Sequence, residues 1–121
     1  MQSRVLEIYA AYSEYIQRLV PLQVEDGLLK IILYFADSSN LRVTEEWENH
    51  TLVGYSYYWL TAENRLKIGW DNAPHHTSLA NFPHHKHVAE QSDHRPSDET
   101  CLEEVMQVIL AQLPPPGSPK R

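Results

Sequence analysis

The sequence predicts an α+β domain, a four-stranded antiparallel β-meander flanked by an N-terminal and a C-terminal helix packed on one face. Three observations predict it. Apolar residues recur at helical spacing near both ends of the chain. Between them, residues 28–71 break into four strand-length segments separated by short polar turns. At 121 residues the chain is long enough for one core and too short for two.

The first helix is expected over residues 4–20, where Val5, Ile8, Tyr9, Tyr12, Ile16 and Leu19 fall at steps of three and four, with Pro21 as its stop. After the turn residues Asp26-Gly27, LLKIILYFA reads as the first strand, because it is short and rich in β-branched and aromatic residues. Asp37-Ser38-Ser39-Asn40 is a polar turn into LRVTEEWEN, the second strand. The third and fourth are TLVGYSYYWLT and RLKIGWD, both with period-two alternation. The second helix follows Pro96, with Ser97 as N-cap, Asp98 and Glu99 near its positive end, and Leu102, Val105, Met106, Ile109 and Leu113 as its buried stripe. Pro114-Pro115-Pro116 stops it. Residues 1–113 thus form one domain, and 114–121 a Pro-rich disordered tail.

Register follows from keeping one face dry, since a slip of one residue exchanges the two faces of a strand. A two-residue turn at Glu63-Asn64 sets Tyr57 opposite Trp70 and Trp59 opposite Ile68. A three-residue loop at Asn49-His50-Thr51 sets Val43 opposite Tyr57 and Trp47 opposite Val53. The apolar face then includes Val43, Trp47, Val53, Tyr55, Tyr57, Trp59, Leu66, Ile68 and Trp70, with Glu45 as its one charged member and the Tyr55 hydroxyl as the expected donor to it. Tyr58 and Ser56 lie on the other face beside Lys67, Gly69 and Asp71, a better place for an exposed site.

Composition excludes several classes. A net charge of −6 argues against general phosphate-driven binding to nucleic acid. No window approaches the about 20 apolar residues of a membrane span, and the N-terminus lacks the charged start and apolar block of a secretory signal, so a cytoplasmic protein is expected. The single Cys101 excludes an internal disulfide. Charge is nevertheless uneven. From Arg65 to Arg95, four cations (Arg65, Lys67, Lys86, Arg95) oppose three anions (Asp71, Glu90, Asp93), giving +1 before any of six histidines is protonated.

Five of the seven histidines lie in DNAPHHTSLANFPHHKH, residues 71–87. Residues 72–96 carry three prolines and little periodicity, and read as a histidine-rich loop too long for a mere connection. Three readings are open. Imidazoles can take and return protons near neutral pH, which with a cation suffices for metal-independent cleavage of RNA through its own 2′-hydroxyl. His85-Lys86-His87 in extended geometry points both imidazoles to one side, so that with His75 or His76 and Asp71 they could hold a divalent metal. The third is a non-catalytic module whose loop binds a protein partner. On the first reading no cofactor is needed; His75, His76, His84, His85 and His87 are acid–base candidates with Tyr58, and Lys86, Lys67 and Arg65 are phosphate cations. Asp71 and Asn72 are binding candidates that also suit a turn bonded to its own backbone.

These stretches carry a resemblance. YSYYW at 55–59, RLKIGWDNAPHH at 65–76 and FPHHKH at 82–87 resemble the TumE-like toxins of prokaryotic toxin–antitoxin systems. What that implies is a toxin silenced by a cognate antitoxin expected to bind DNA, with RNA or translation as target. Separately from the resemblance, a homodimer is one assembly open to the chain. The alternative is the binding module, docking a partner or a metal ion without catalysis.

Overall fold

The computed structural model describes residues 1–73 and 83–115. Element order is α1 (Gln2–Tyr12), β1 (Ile16–Glu25), β2 (Leu28–Phe35), β3 (Asn40–Glu48), β4 (Thr51–Leu60), β5 (Leu66–Asp71), β6 (His85–Val88), β7 (Arg95–Pro96) and α2 (Leu102–Leu110). Among the described residues the strands form one seven-stranded sheet in sequence order, and every neighbouring pair is antiparallel. The α+β class and the meander are as expected, but the sheet has seven strands rather than four.

The expected strands are β2–β5, and the sheet grows on both sides of them. Residues 16–25, read as the end of a helix continuing to Val20, are strand β1, and α1 stops at Tyr12. Pro21, taken as a helix stop, lies inside that strand. It is tolerated because β1 is at the sheet edge, and the register shifts between Pro21 and Gln23. Ile16 and Leu19 satisfy helical spacing by coincidence. On the other side, the segment read as a loop over residues 72–96 supplies β6 and β7. Four residues are too short for alternation to stand out between two histidine pairs, so β6 left no periodic signal.

Register in the centre follows the aromatic face. Tyr57 pairs with Trp70, Trp59 with Ile68, and Val43 with Tyr57. The β3–β4 turn differs from expectation. Glu48 pairs with Thr51 across a two-residue turn in which Asn49 and His50 both have positive φ (47° and 66°), the geometry of the tight hairpin turn. Trp47 consequently faces Leu52, not Val53, and the offset is absorbed by an irregularity after Glu46. Val53, expected in the core, is 42% exposed.

Helices and sheet share one core. Ile8 of α1 and Leu102, Val105, Met106 and Ile109 of α2 pack with Leu29, Ile31, Leu33, Phe35, Tyr57, Trp59 and Trp70. Tyr9, counted in the helix stripe, is half exposed. Glu45 is fully buried, and its donors are Arg4 (2.9 and 3.0 Å), the Tyr57 hydroxyl (2.6 Å) and the Trp47 indole (3.1 Å), not Tyr55. Arg4 also reaches Glu7 and Glu103 of α2, tying both helices to β3. Burial alone would lower the Arg4 pKa, but Glu45 and Glu103 hold it well above the ordinary value. The N-cap of α2 is Cys101 rather than Ser97, whose hydroxyl instead donates to the Glu99 carbonyl. Glu104 accepts from the backbone N–H and the hydroxyl of Thr100, drawing the preceding turn against the helix start. No described helix is long and apolar enough to cross a membrane.

Candidate functional site

The core register decides which side chains meet on the face away from the helices. Because Trp70 turns toward the core, Asp71 turns away from it. Across the β5–β6 ladder Asp71 pairs with His85 and Gly69 with His87, so both imidazoles project on the Asp71 side. On the β4 flank Tyr58 pairs with Gly69. A Cβ on residue 69 would lie 2.2 Å from two Tyr58 ring atoms, so only glycine lets the ring lie flat there. The phenol then reaches Asp71 Oδ2, donating at 3.0 Å.

The resulting cluster is buried. Asp71, His85 and His87 are 7%, 2% and 5% exposed. His85 Nε2 is 2.9 Å from Asp71 Oδ1, and His87 Nε2 is 3.4 Å from Asp71 Oδ2. The other ring nitrogens face backbone carbonyls, His85 Nδ1 that of Pro83 (3.0 Å) and His87 Nδ1 that of Asp93 (2.7 Å). A carbonyl only accepts, so Nδ1 carries the hydrogen on both rings. Asp71 Oδ1 also accepts the Ala73 backbone N–H at 3.0 Å. The β6–β7 connection folds over His87: Asp93 accepts from the Val88 N–H, and the His94 ring meets the His87 ring edge-on at 4.9 Å. Burial first, and the Asp71 carboxylate second, push the Tyr58 phenol above its ordinary pKa, so it is protonated at neutral pH. Arg95 holds the Asp93 carboxyl below the ordinary range.

The other candidates lie elsewhere. Lys86 pairs with Trp70 and points to the helix side, where its ammonium is 3.3 Å from Glu99 Oε1, an oxygen that also accepts the Trp70 indole N–H at 3.0 Å. His84 Nδ1 is 2.8 Å from the Tyr55 hydroxyl, and the two rings stack. Lys67 Nζ lies 3.9 Å from the Trp59 ring centroid. Arg65 is exposed in the β4–β5 turn. Asn72 bonds the neighbouring strand instead of its own turn: its Oδ1 accepts the Tyr55 N–H at 2.9 Å and its Nδ2 donates to the Val53 carbonyl at 3.1 Å. His75 and His76 lie outside the described residues. The structure therefore joins Tyr58, Asp71, His85 and His87, and separates them from Lys86 and His84 by the thickness of the sheet.

Four contributors were not singled out in the sequence. Gly69 was placed on the correct face, but the clearance it provides depends on the ladder. The Pro83 and Asp93 carbonyls are backbone groups with no sequence signature. His94 counted toward local charge, but its approach to His87 needs the fold of the β6–β7 connection.

The family model described as Toxin TumE matches residues 10–113. The chain belongs to the TumE toxin family. Membership makes it the toxin component of a toxin–antitoxin system and implies an antitoxin partner. The match covers β1 through α2 and includes all four cluster residues. Neither a curated protein nor a solved structure matches the chain.

Proposed function

We propose that this toxin is a ribonuclease whose reaction centre is the Tyr58–Asp71–His85–His87 cluster. One observation carries the reading: a carboxylate, two imidazoles and a phenol are gathered in a buried spot on the face the helices do not cover. Burying such groups disfavours folding unless each is compensated, and an apolar strand end would serve the sheet as well. Groups of this kind with tuned surroundings are characteristic of reaction centres. The local +1 balance supports an anionic substrate where the chain as a whole, at −6, does not.

In the metal-independent route, one imidazole must turn its Nε2 to the 2′-hydroxyl. Both Nε2 atoms face Asp71 instead, so that route requires a ring to disengage on substrate binding. Tyr58 is suited to donate to a phosphate oxygen or leaving group, since its hydroxyl is protonated and its ring is half-buried. The antitoxin, on this reading a DNA-binding protein, silences the toxin by covering this face. The same pairing of Nε2 to carboxylate favours a second reading, a site that holds a ligand between these groups without cleaving RNA.

The test is cleavage of total RNA by purified toxin, with and without chelator, for wild type, Asp71→Asn, His87→Gln and Tyr58→Phe. Cleavage lost in the variants is expected, and the chelator arm separates the metal-independent route from a metal-assisted one. A wild-type toxin that arrests growth on induction yet leaves RNA intact overturns the ribonuclease reading.

A further inference from the structure

We infer that Asp71, His85 and His87 form a binding site for one divalent transition-metal ion of the zinc, manganese or cobalt type. With hydrogen on Nδ1 of both rings, a neutral imidazole presents its Nε2 lone pair, and both lone pairs are aimed at a carboxylate. Two electron-pair donors at 2.9 and 3.4 Å need a cation between them. One metal ion satisfies both imidazoles and the carboxylate together.

The dimensions fit. Donor atoms bound to one such ion at about 2.0–2.2 Å stand about 3–3.5 Å apart in tetrahedral or octahedral arrangement. One donor atom from each of the three residues lies within 4.8 Å of the others. The surroundings are those of a metal site: each imidazole is oriented through an Nδ1–H bond to a backbone carbonyl, and the carboxylate is itself held by Tyr58 and the Ala73 N–H. Two nitrogens and one oxygen select borderline transition ions over magnesium or calcium, which take oxygen ligands. Three protein ligands leave coordination positions for water or substrate.

This inference stands apart from the ribonuclease reading, because binding is measured without RNA. The full-length chain is stripped with chelator, and Zn²⁺, Mn²⁺ and Co²⁺ are each titrated in by calorimetry, with Co²⁺ followed also by its visible absorption. One equivalent is expected to bind, with affinity reduced about tenfold or more by Asp71→Asn and by His87→Gln and unchanged by His50→Asn in the β3–β4 turn. Should the variants fold poorly, wild-type NMR decides: sub-stoichiometric Mn²⁺ is expected to broaden the His85 and His87 ring resonances before that of His50. Absence of one-equivalent binding by all three ions, equal affinity in the variants, or uniform broadening of all histidines overturns the site. Binding without RNA cleavage supports it while removing the ribonuclease reading, and cleavage without binding does the reverse.

Discussion

Gly69→Ala is the sharpest perturbation of the cluster that leaves every functional group in place. The new methyl carbon would lie 2.2 Å from two carbons of the Tyr58 ring, against about 3.5–4.0 Å for a relaxed carbon contact. The ring must retreat by roughly 1.3–1.8 Å, or the strand must yield by that amount. If the strand yields, overpacking costs about 1–3 kcal/mol. If the ring retreats, its 3.0 Å bond to Asp71 is lost, and a hydrogen bond to a charged group contributes about 1.5–3 kcal/mol. These are alternatives rather than a sum and the cheaper one sets the cost, so the substitution should destabilise by about 1–3 kcal/mol. In a Tyr58→Ala background the obstacle is absent, and alanine should be neutral or slightly favourable through its lower chain entropy. The assay is a double-mutant cycle by urea denaturation of wild type, each single variant and the pair, with a coupling of about 1–3 kcal/mol expected. Additive effects would refute the packing of Tyr58 over Gly69, and with it the reason Tyr58 reaches Asp71.

Further outcomes follow from the same contacts. Arg4→Met strands the fully buried Glu45 with only Tyr57 and Trp47 as donors, and should cost about 3–5 kcal/mol in urea unfolding; adding Glu45→Leu should recover most of it. Arg4 overcomes the effect of burial and holds Glu103 below its ordinary value of 4.5. Because its folded pKa is depressed, the stability Glu103 contributes is complete above about pH 4.5 and disappears as pH falls through the folded value. The half-exposed carboxylate limits that contribution to under about 1 kcal/mol, so Glu103→Gln should flatten the acid limb of the urea midpoint slightly and leave its slope near neutrality unchanged. Asn72→Ala leaves the Tyr55 N–H and Val53 carbonyl without their side-chain partner, and should cost about 1–2 kcal/mol with accelerated amide exchange at Tyr55.

The central strands were legible because burial on one face writes itself into alternation. Tyr55, Tyr57 and Trp59 could occupy only one side, and that choice fixed the Tyr57–Trp70 pairing and, by parity, sent Tyr58 and Asp71 to the other. The edges were illegible for the opposite reason. Strand β1 buries little beyond Ile16, so its pattern did not compete with helical spacing, and its proline is harmless only at an edge that no sequence window reveals. Strand β6 spans four residues and draws its identity from pairing with β5. The site was half legible on the same logic. His85 and His87 share a side in any extended geometry, but that Asp71 lies opposite them depends on the β5–β6 register. Lys86 was grouped with them by adjacency, although alternation turns it to the opposite face.

That register is held from the helix side. Slipping β6 by one residue would exchange His85 and His87 for His84 and Lys86 on the Asp71 face and dissolve the cluster. Glu99 opposes the slip. It leads into α2 and binds both the Trp70 indole and the Lys86 ammonium, a cross-strand pair on β5 and β6, through one oxygen atom. His84 adds a second pin through the Tyr55 hydroxyl, also on the helix side. Lys86 and His84 therefore shape the cluster without touching it: they fix which residues of β6 face Asp71. The aromatic core thus serves as the jig for the polar cluster, and packing on one face of the sheet sets which donors meet on the other.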